Sequence, residues 1–137
     1  MSVKVIFHGQ SNVEIHSGSH GIQIDPFYSG NPVCDTRADK VNPQYILLTH
    51  AHSDHVADAE SIARRTGAEI VSNYEITLHY GARKLKTQPM NHGGAVELPF
   101  GRVYMTIAFH TSAFDDGSYG GQQKYDGVGA AHWAPSI

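Results

Sequence analysis

The chain has little of several features that would place it in a particular class. It contains a single cysteine, Cys34, so it cannot form an intramolecular disulfide framework. Its longest purely apolar runs, such as residues 46–48, are far shorter than the roughly 20 residues that span a bilayer. The N-terminus turns polar before the apolar core of a signal peptide could form. These absences lead us to expect a soluble, cytoplasmic protein.

Charge of either sign is also scarce. Ten Lys and Arg residues against thirteen Asp and Glu residues give a net charge of −3. This balance provides no basic footprint for nucleic acid and no attraction to an anionic membrane. The hydrophobic share of 40% is that of one globular domain and not of a disordered chain. Histidine is the exception, because the chain has ten of them, as many as Lys and Arg combined.

The order of the predicted elements indicates a mixed α/β protein built in layers. A hairpin, a third strand and a long loop are followed by strand–helix–strand–helix and then by more strands. Residues 45–49 form an apolar run that is typical of a strand buried on both faces. Apolar residues then recur at three- and four-residue spacing from Asp54 to Gly67, which predicts one amphipathic helix with Asp54 as its N-cap. Residues 88–94 form a turn-rich connection, and residues 115–137 form a glycine-rich tail without periodicity.

The strongest functional signal is the segment His50-Ala51-His52-Ser53-Asp54-His55, which directly follows the apolar strand. At this composition, the pattern His-x-His-x-Asp-His arises by chance roughly 0.003 times in a chain of this length. Residues two apart in an extended loop project to the same side, so His50 and His52 can bind one ion. Asp54 and His55 begin the helix and can turn toward a second ion. Imidazole and carboxylate ligands suit Zn²⁺ best, and Mn²⁺, Fe²⁺ and Ni²⁺ also accept them.

A strand followed by Thr-His-x-His-x-Asp-His and a helix resembles the signature of the metallo-β-lactamase superfamily. The finer resemblance is to its small bacterial and archaeal metal-dependent hydrolases of uncharacterised substrate, and it covers about residues 3–125. The stretches that carry it are residues 7–11, 24–27, 30–32, 45–55, 89–94, 100–103 and 108–112. The resemblance implies an α/β fold that is half of an αββα sandwich, in which a mixed β-sheet carries helices on one face.

The resemblance also implies roles for individual residues. The ligands of two neighbouring metal sites would be His50, His52 and His110 for the first and Asp54 and His55 for the second. Asp54 would in addition orient the attacking water or accept its proton. Asp25 would be a carboxylate that orients the metal ligands, although an Asp that starts the turn at Pro26 fits the sequence nearly as well.

The remaining polar candidates carry weaker signals. Relatives commonly have a His at the position of Gln10, and because Gln is a weak metal ligand, no metal role is assigned to it. Several histidines lack ligand spacing and are expected to be solvated, namely His16, His20, His79, His92 and His132.

The full sandwich of the superfamily is longer than this chain. Its second half normally supplies an Asp that bridges both metals and a late His, and neither has a counterpart in its usual context here. We therefore expect residues 1–137 to be a single truncated domain, produced by a truncation, by a frameshift or as a natural half-length paralogue. A half sandwich leaves the inner face of its sheet uncovered, so we predict a homo-oligomer that packs through this face.

Two classes of function remain open at this point. The first is a hydrolase that uses water activated by one or two divalent ions, most often zinc, on an ester, lactone, amide or phosphodiester bond. Its substrate would be a small molecule or a phosphodiester. The second is a non-catalytic metal-binding or self-assembling remnant of a hydrolase. A further alternative is a subunit that a separate chain completes in trans.

Overall fold

The computed structural model describes residues 2–115 and the backbone of residues 132–136. Within these residues, a short 3-10 helix at Ala38–Lys40 accompanies nine strands and three α-helices. The strands are β1 Val3–Phe7, β2 Val13–Ser17, β3 His20–Ile24, β4 Tyr45–Leu47, β5 Glu69–Asn73, β6 Thr87–Met90, β7 Ala95–Leu98, β8 Gly101–Ala108 and β9 His132–Ser136. The α-helices are α1 Ser53–Val56, α2 Ala59–Thr66 and α3 Tyr74–Ala82.

A six-stranded mixed sheet, ordered β1-β2-β3-β4-β5-β6, forms the centre of the fold. The first three strands pair antiparallel, as the predicted hairpin requires. From β3 to β6 every pairing is parallel, because a loop or a helical connection returns the chain to the same end of the sheet. Sheet and helices together confirm the predicted mixed α/β fold.

Side chains of β4 and β5 alternate between two hydrophobic clusters on opposite faces of this sheet. Ile46 and Ile70 lie in the cluster that packs against α2 and α3. Leu47 and Val71 lie in the other cluster, where they pack against Val103 of the three-stranded sheet β7-β8-β9. All of these side chains are almost completely buried, so the central strands are buried on both faces. The described part of the fold thus has three layers: the helices, the six-stranded sheet and the three-stranded sheet. These layers confirm the predicted half of an αββα sandwich.

The inner face of the large sheet is uncovered at β1. Val5 pairs with Ile15 and Ile15 pairs with Ile22, so these three side chains point to the same face. Ile22 is fully buried there, whereas Val3, Val5 and Phe7 are 59%, 61% and 68% exposed. Within the described residues, the second sheet therefore covers β3 and β4 and leaves β1 open to solvent.

The helix predicted from Asp54 to Gly67 is wrong as a single element. It is divided into α1 and α2 at Asp58, whose φ and ψ of −107° and 3° are not helical. The Asp58 carboxylate accepts hydrogen bonds from the backbone N–H groups of Tyr28 and Ser29, both at 2.8 Å. Because these partners lie across the fold, they hold Asp58 out of helical geometry. His52, and not Asp54, is the residue that precedes the first helical turn.

Two other expectations are also wrong. Residues 87–90 form strand β6 at the edge of the large sheet, where a Pro at position 89 is tolerated. The expected glycine-rich tail stays a prediction, since residues 116–131 lie outside the described residues and only β9, which pairs with β8, is described within it. His79 is not solvated, because it is buried and stacks on Phe114 with ring centroids 3.7 Å apart.

None of the α-helices within the described residues has the length and apolar character that crossing a bilayer requires.

Candidate metal centre

Four segments bring polar side chains to one end of the six-stranded sheet. The motif loop follows β4, Asp25 follows β3, Gln10 lies in the turn after β1, and residues 110–115 follow β8. Because β3 and β4 run parallel, their carboxyl ends meet at the same edge. The end of β1 lies there too, since β1 and β3 both pair antiparallel with β2. Residues far apart in sequence therefore meet around the motif.

His50, His52 and His110 converge on one point of this edge. One ring nitrogen of each lies within 4.8 Å of those of the other two. His50 Nε2 is 3.0 Å from His52 Nδ1, and the ring centroids of His50 and His110 are 4.7 Å apart. His50 is buried, His52 is partly buried and His110 is exposed, so the cluster opens to solvent on one side. The arrangement leaves room for a further ligand from solvent.

The donor set of this triad fits a divalent cation. His110 Nδ1 lies 2.8 Å from the Thr111 carbonyl oxygen, to which it must donate, so His110 Nε2 retains its lone pair. Three imidazole nitrogens, two from the motif loop and one from the segment after β8, are a ligand set that zinc and related divalent ions accept. The triad of His50, His52 and His110 could therefore bind a metal ion.

Asp25 is a buried carboxylate that links two of the site histidines. Its Oδ1 accepts the Thr49 backbone N–H at 2.8 Å, and its Oδ2 accepts the Thr49 hydroxyl at 2.7 Å. Because this hydroxyl donates to Asp25, Thr49 Oγ1 accepts from His50 Nδ1 at 2.9 Å, which leaves the lone pair on His50 Nε2. Asp25 Oδ2 also accepts from His55 Nδ1 at 2.8 Å. The carboxylate thus selects the tautomer of both rings.

The backbone at Asp25 is bent sharply to aim this carboxylate. Its φ is +43°, in the left-handed region that residues with a Cβ seldom adopt. Asp tolerates this conformation better than most residues, and its own N–H is used by the Leu47 carbonyl oxygen at 3.0 Å. Strain of this kind persists where the surrounding contacts determine the conformation.

The other two predicted ligands, Asp54 and His55, lie beside the triad and not within it. The ring of His55 is 3.9 Å from that of His50 between centroids, and His55 Nε2 is 3.9 Å from Asp54 Oδ1. Gln10 joins them, since its Nε2 donates to Asp54 Oδ2 at 2.7 Å and lies 3.3 Å from His55 Nε2. Gln10 had no assigned role from the sequence. The available signal was its position in a turn at the carboxyl end of β1.

Hydroxyl groups attach the segment of His110 to the motif loop. Ser112 Oγ accepts the Ala51 backbone N–H at 3.3 Å, and Ser53 Oγ donates to Asp115 Oδ2 at 2.9 Å. Thr111 Oγ1 lies 3.4 Å from His52 Nε2. These contacts leave no local signal in the sequence, because each joins positions about sixty apart in the chain. Together they hold His110 against a loop that belongs to the other sheet.

Comparison with known families decides what kind of protein carries this site. The family model of the metallo-beta-lactamase superfamily matches residues 9–129. This chain belongs to the metallo-beta-lactamase superfamily. The match includes the motif loop, Asp25, Gln10 and His110, and it confirms the resemblance on which the sequence analysis relied.

Relatives within the metallo-beta-lactamase superfamily are described as metal-dependent hydrolases. A UPF0173 metal-dependent hydrolase of Christiangramia forsetii is 48% identical over 122 residues, covering 88% of this chain and 54% of the relative. Another, of Flavobacterium johnsoniae, is 46% identical over 120 residues, covering 87% and 53%. Among solved structures, the metallo hydrolase Igni18 of Ignicoccus hospitalis is 28% identical with a TM-score of 0.79, covering 98% and 55%. This chain therefore spans about half the length of the curated relatives it matches.

Proposed function

We propose that this chain is a metal-dependent hydrolase that uses the triad of His50, His52 and His110 to hold a divalent ion. The observation that carries the proposal is the convergence of these three ring nitrogens, with the tautomer of His50 set by Asp25 through Thr49. The relatives with 46–48% identity are described as metal-dependent hydrolases, which supports the same chemistry. Zinc is the ion that we favour for this imidazole set, ahead of manganese, iron and nickel.

A bound divalent ion would supply Lewis acidity, which lowers the pKa of water and polarises the bond to be broken. The residues of the chain supply position and proton transfer. Asp54 lies beside the triad with its Oδ2 held by Gln10, so we assign its Oδ1 to orient the attacking water and accept its proton. Asp54 and His55 are also our candidates for ligands of a second ion. The bond would be that of an ester, lactone, amide or phosphodiester in a small-molecule or phosphodiester substrate.

Replacing Asp54 with Asn tests this assignment. General-base groups contribute about 100- to 10,000-fold to a rate, so we expect kcat to fall by at least about 100-fold. Because the ion is held by the triad, Asp54→Asn should still retain one ion per chain. The assay compares hydrolysis of bis(p-nitrophenyl) phosphate, a p-nitrophenyl ester and a lactone, with the metal removed and with Zn²⁺ or Mn²⁺ restored.

Glu97→Gln is the matched control, since Glu97 is an exposed acid of β7 whose ion pair is with Arg102. It should leave the rate unchanged. If Asp54→Asn hydrolyses the active substrate as fast as the wild type, the role of Asp54 is wrong. Another outcome is that the ion is bound while no substrate in the panel is hydrolysed in a metal-dependent way. That result would favour one of the two alternatives, a non-catalytic metal-binding chain or a subunit that a separate chain completes in trans.

We also propose that the chain forms a homo-oligomer through the open face of β1. An apolar face made of Val3, Val5 and Phe7 is stabilised when a second surface removes it from water, by about 25 cal/mol per Å² of buried apolar area. We expect light scattering after gel filtration to show a dimer or larger species and Phe7→Lys to shift it toward the monomer. Leu78→Lys is the matched control, since Leu78 is an apolar side chain of α3 that is 43% exposed. A monomeric wild type at micromolar concentration would contradict the proposal.

A further inference from the structure

The amide nitrogen of Gln10 lies where two site residues would share a ligand. It is 2.7 Å from Asp54 Oδ2 and 3.3 Å from His55 Nε2, and an amide NH₂ group has two hydrogens, one for each acceptor. Both acceptors are groups that bind cations through lone pairs. The partly positive NH₂ group therefore satisfies the same two lone pairs that a cation between Asp54 and His55 would use.

The orientation of the Gln10 amide follows from its surroundings. Asp25 accepts from His55 Nδ1, so His55 Nε2 carries a lone pair and needs a donor. Asp54 Oδ2 is a carboxylate oxygen and also needs a donor. The Gln10 Oε1 atom is turned away from both and accepts the Ser11 backbone N–H. A flipped amide would place its oxygen against two acceptors, so only the nitrogen fits this position.

The backbone turn that carries Gln10 is held by hydrogen bonds from Asn31. Gln10 itself has a φ of +57°, and Gly9 before it has a φ of +93°. The left-handed φ of Gly9 is a conformation that glycine adopts without strain, so glycine is favoured at this position of the turn. Asn31, which is buried, donates from Nδ2 to the carbonyl oxygens of His8 and Gly9 at 3.2 and 3.4 Å. The backbone that carries Gln10 is thus positioned by the fold, and its side-chain amide is held by the contacts with Asp54 and Ser11.

We propose that Gln10 limits tight metal binding to one ion per chain, because its side-chain NH₂ occupies the lone pairs of Asp54 and His55 that a second ion would need. This inference rests on the proposed function, since the first ion is the one held by the triad. A second ion must displace the Gln10 amide before it reaches Asp54 and His55. Its affinity is therefore lower than that of the first ion, and it depends on the residue at position 10.

The test compares Gln10→Glu and Gln10→Ala with the wild type by calorimetric titration of the metal-free chain with Zn²⁺. Gln10→Glu replaces the NH₂ donor with a carboxylate oxygen, so we expect the second Zn²⁺ to bind about 10- to 100-fold more tightly, within the range of neighbouring-group effects on metal sites. Gln10→Ala frees Asp54 and His55 without adding a ligand, so a smaller gain is expected. Gln88→Glu, in β6 at the opposite edge of the sheet, makes the same change of charge and should bind like the wild type.

A second readout separates this inference from a general effect of charge. Without metal, Gln10→Glu places a carboxylate against that of Asp54, so its melting temperature should fall below that of Gln88→Glu and recover when Zn²⁺ is added. With two equivalents of Co²⁺ added, the absorption spectrum of Gln10→Glu should show a second component that the spectrum of the wild type lacks. If the wild type binds one tight ion and both Gln10 variants bind the second ion no better, the inference is wrong while the proposed function stands. If the wild type binds no tight ion, both are overturned.

Discussion

Asp25→Ala is expected to weaken metal binding by about 10- to 100-fold, the range found when partners of metal-binding histidines are removed. The Asp25 carboxylate holds the His55 ring directly and sets the tautomer of His50 through Thr49. Removing it frees both rings to rotate and to take up the wrong tautomer. The variant also leaves the Thr49 backbone N–H without its acceptor, which costs about 1–3 kcal/mol of unfolding free energy. Chelator competition measures the affinity, and thermal unfolding measures the stability.

Two further variants make the Asp25 prediction specific. Asp25→Asn keeps a residue that tolerates a φ of +43° and removes only the charge and one acceptor oxygen, so a smaller loss of affinity is expected. Asp39→Ala removes an exposed carboxylate whose pKa is lowered by its hydrogen bond from Arg37, and it should leave metal affinity unchanged. If Asp25→Asn and Asp25→Ala both fold and bind metal as tightly as the wild type, Asp25 has no part in the site.

His110→Ala is expected to remove most of the bound metal and, with it, the hydrolytic activity. Zinc sites with four protein ligands in small domains bind with roughly 10–16 kcal/mol, so one ligand accounts for about 3–4 kcal/mol. This corresponds to a loss of affinity of roughly 100-fold or more. Because His110 is exposed, its truncation should leave the fold intact, unlike that of the buried His50. Metal content after dialysis and the circular dichroism spectrum are the two measurements.

His16→Ala is the control for His110→Ala, since the ring of His16 is also solvent-accessible and its hydrogen bond is to Glu14 of the same strand, β2. It should retain both the metal and the activity. Equal metal content in His110→Ala and His16→Ala would remove His110 from the metal site and leave only His50 and His52 of the triad.

Local pattern was enough to predict the centre of the site. His50 and His52 are two residues apart in a loop after a strand buried on both faces, and both conditions can be seen in a short stretch of sequence. The pattern also placed Asp25 at the end of a strand, but its role beside the motif loop was expected only through the family resemblance. The same holds for His110, because nothing in its own neighbourhood distinguishes it from a solvated histidine.

Contacts between distant segments account for what the sequence did not predict. Gln10 meets Asp54 across 44 positions, and an amide has no spacing pattern that marks it as part of a site. The break between α1 and α2 depends on hydrogen bonds from Tyr28 and Ser29 to Asp58, some thirty residues away. Strand β9 follows a glycine-rich run and is defined by its ladder with β8 and not by its own composition. In each case the missing information is a tertiary partner.

The number of metal ions bound per chain tests the central claim most directly. The purified wild-type chain is incubated with Zn²⁺ or Mn²⁺, dialysed against metal-free buffer and examined by elemental analysis together with its protein concentration. Convergence of His50, His52 and His110, with Gln10 on the neighbouring ligands, predicts about one retained ion per chain. A chain that is folded yet retains neither ion would contradict the account, because the triad would then be a cluster of histidines without a metal.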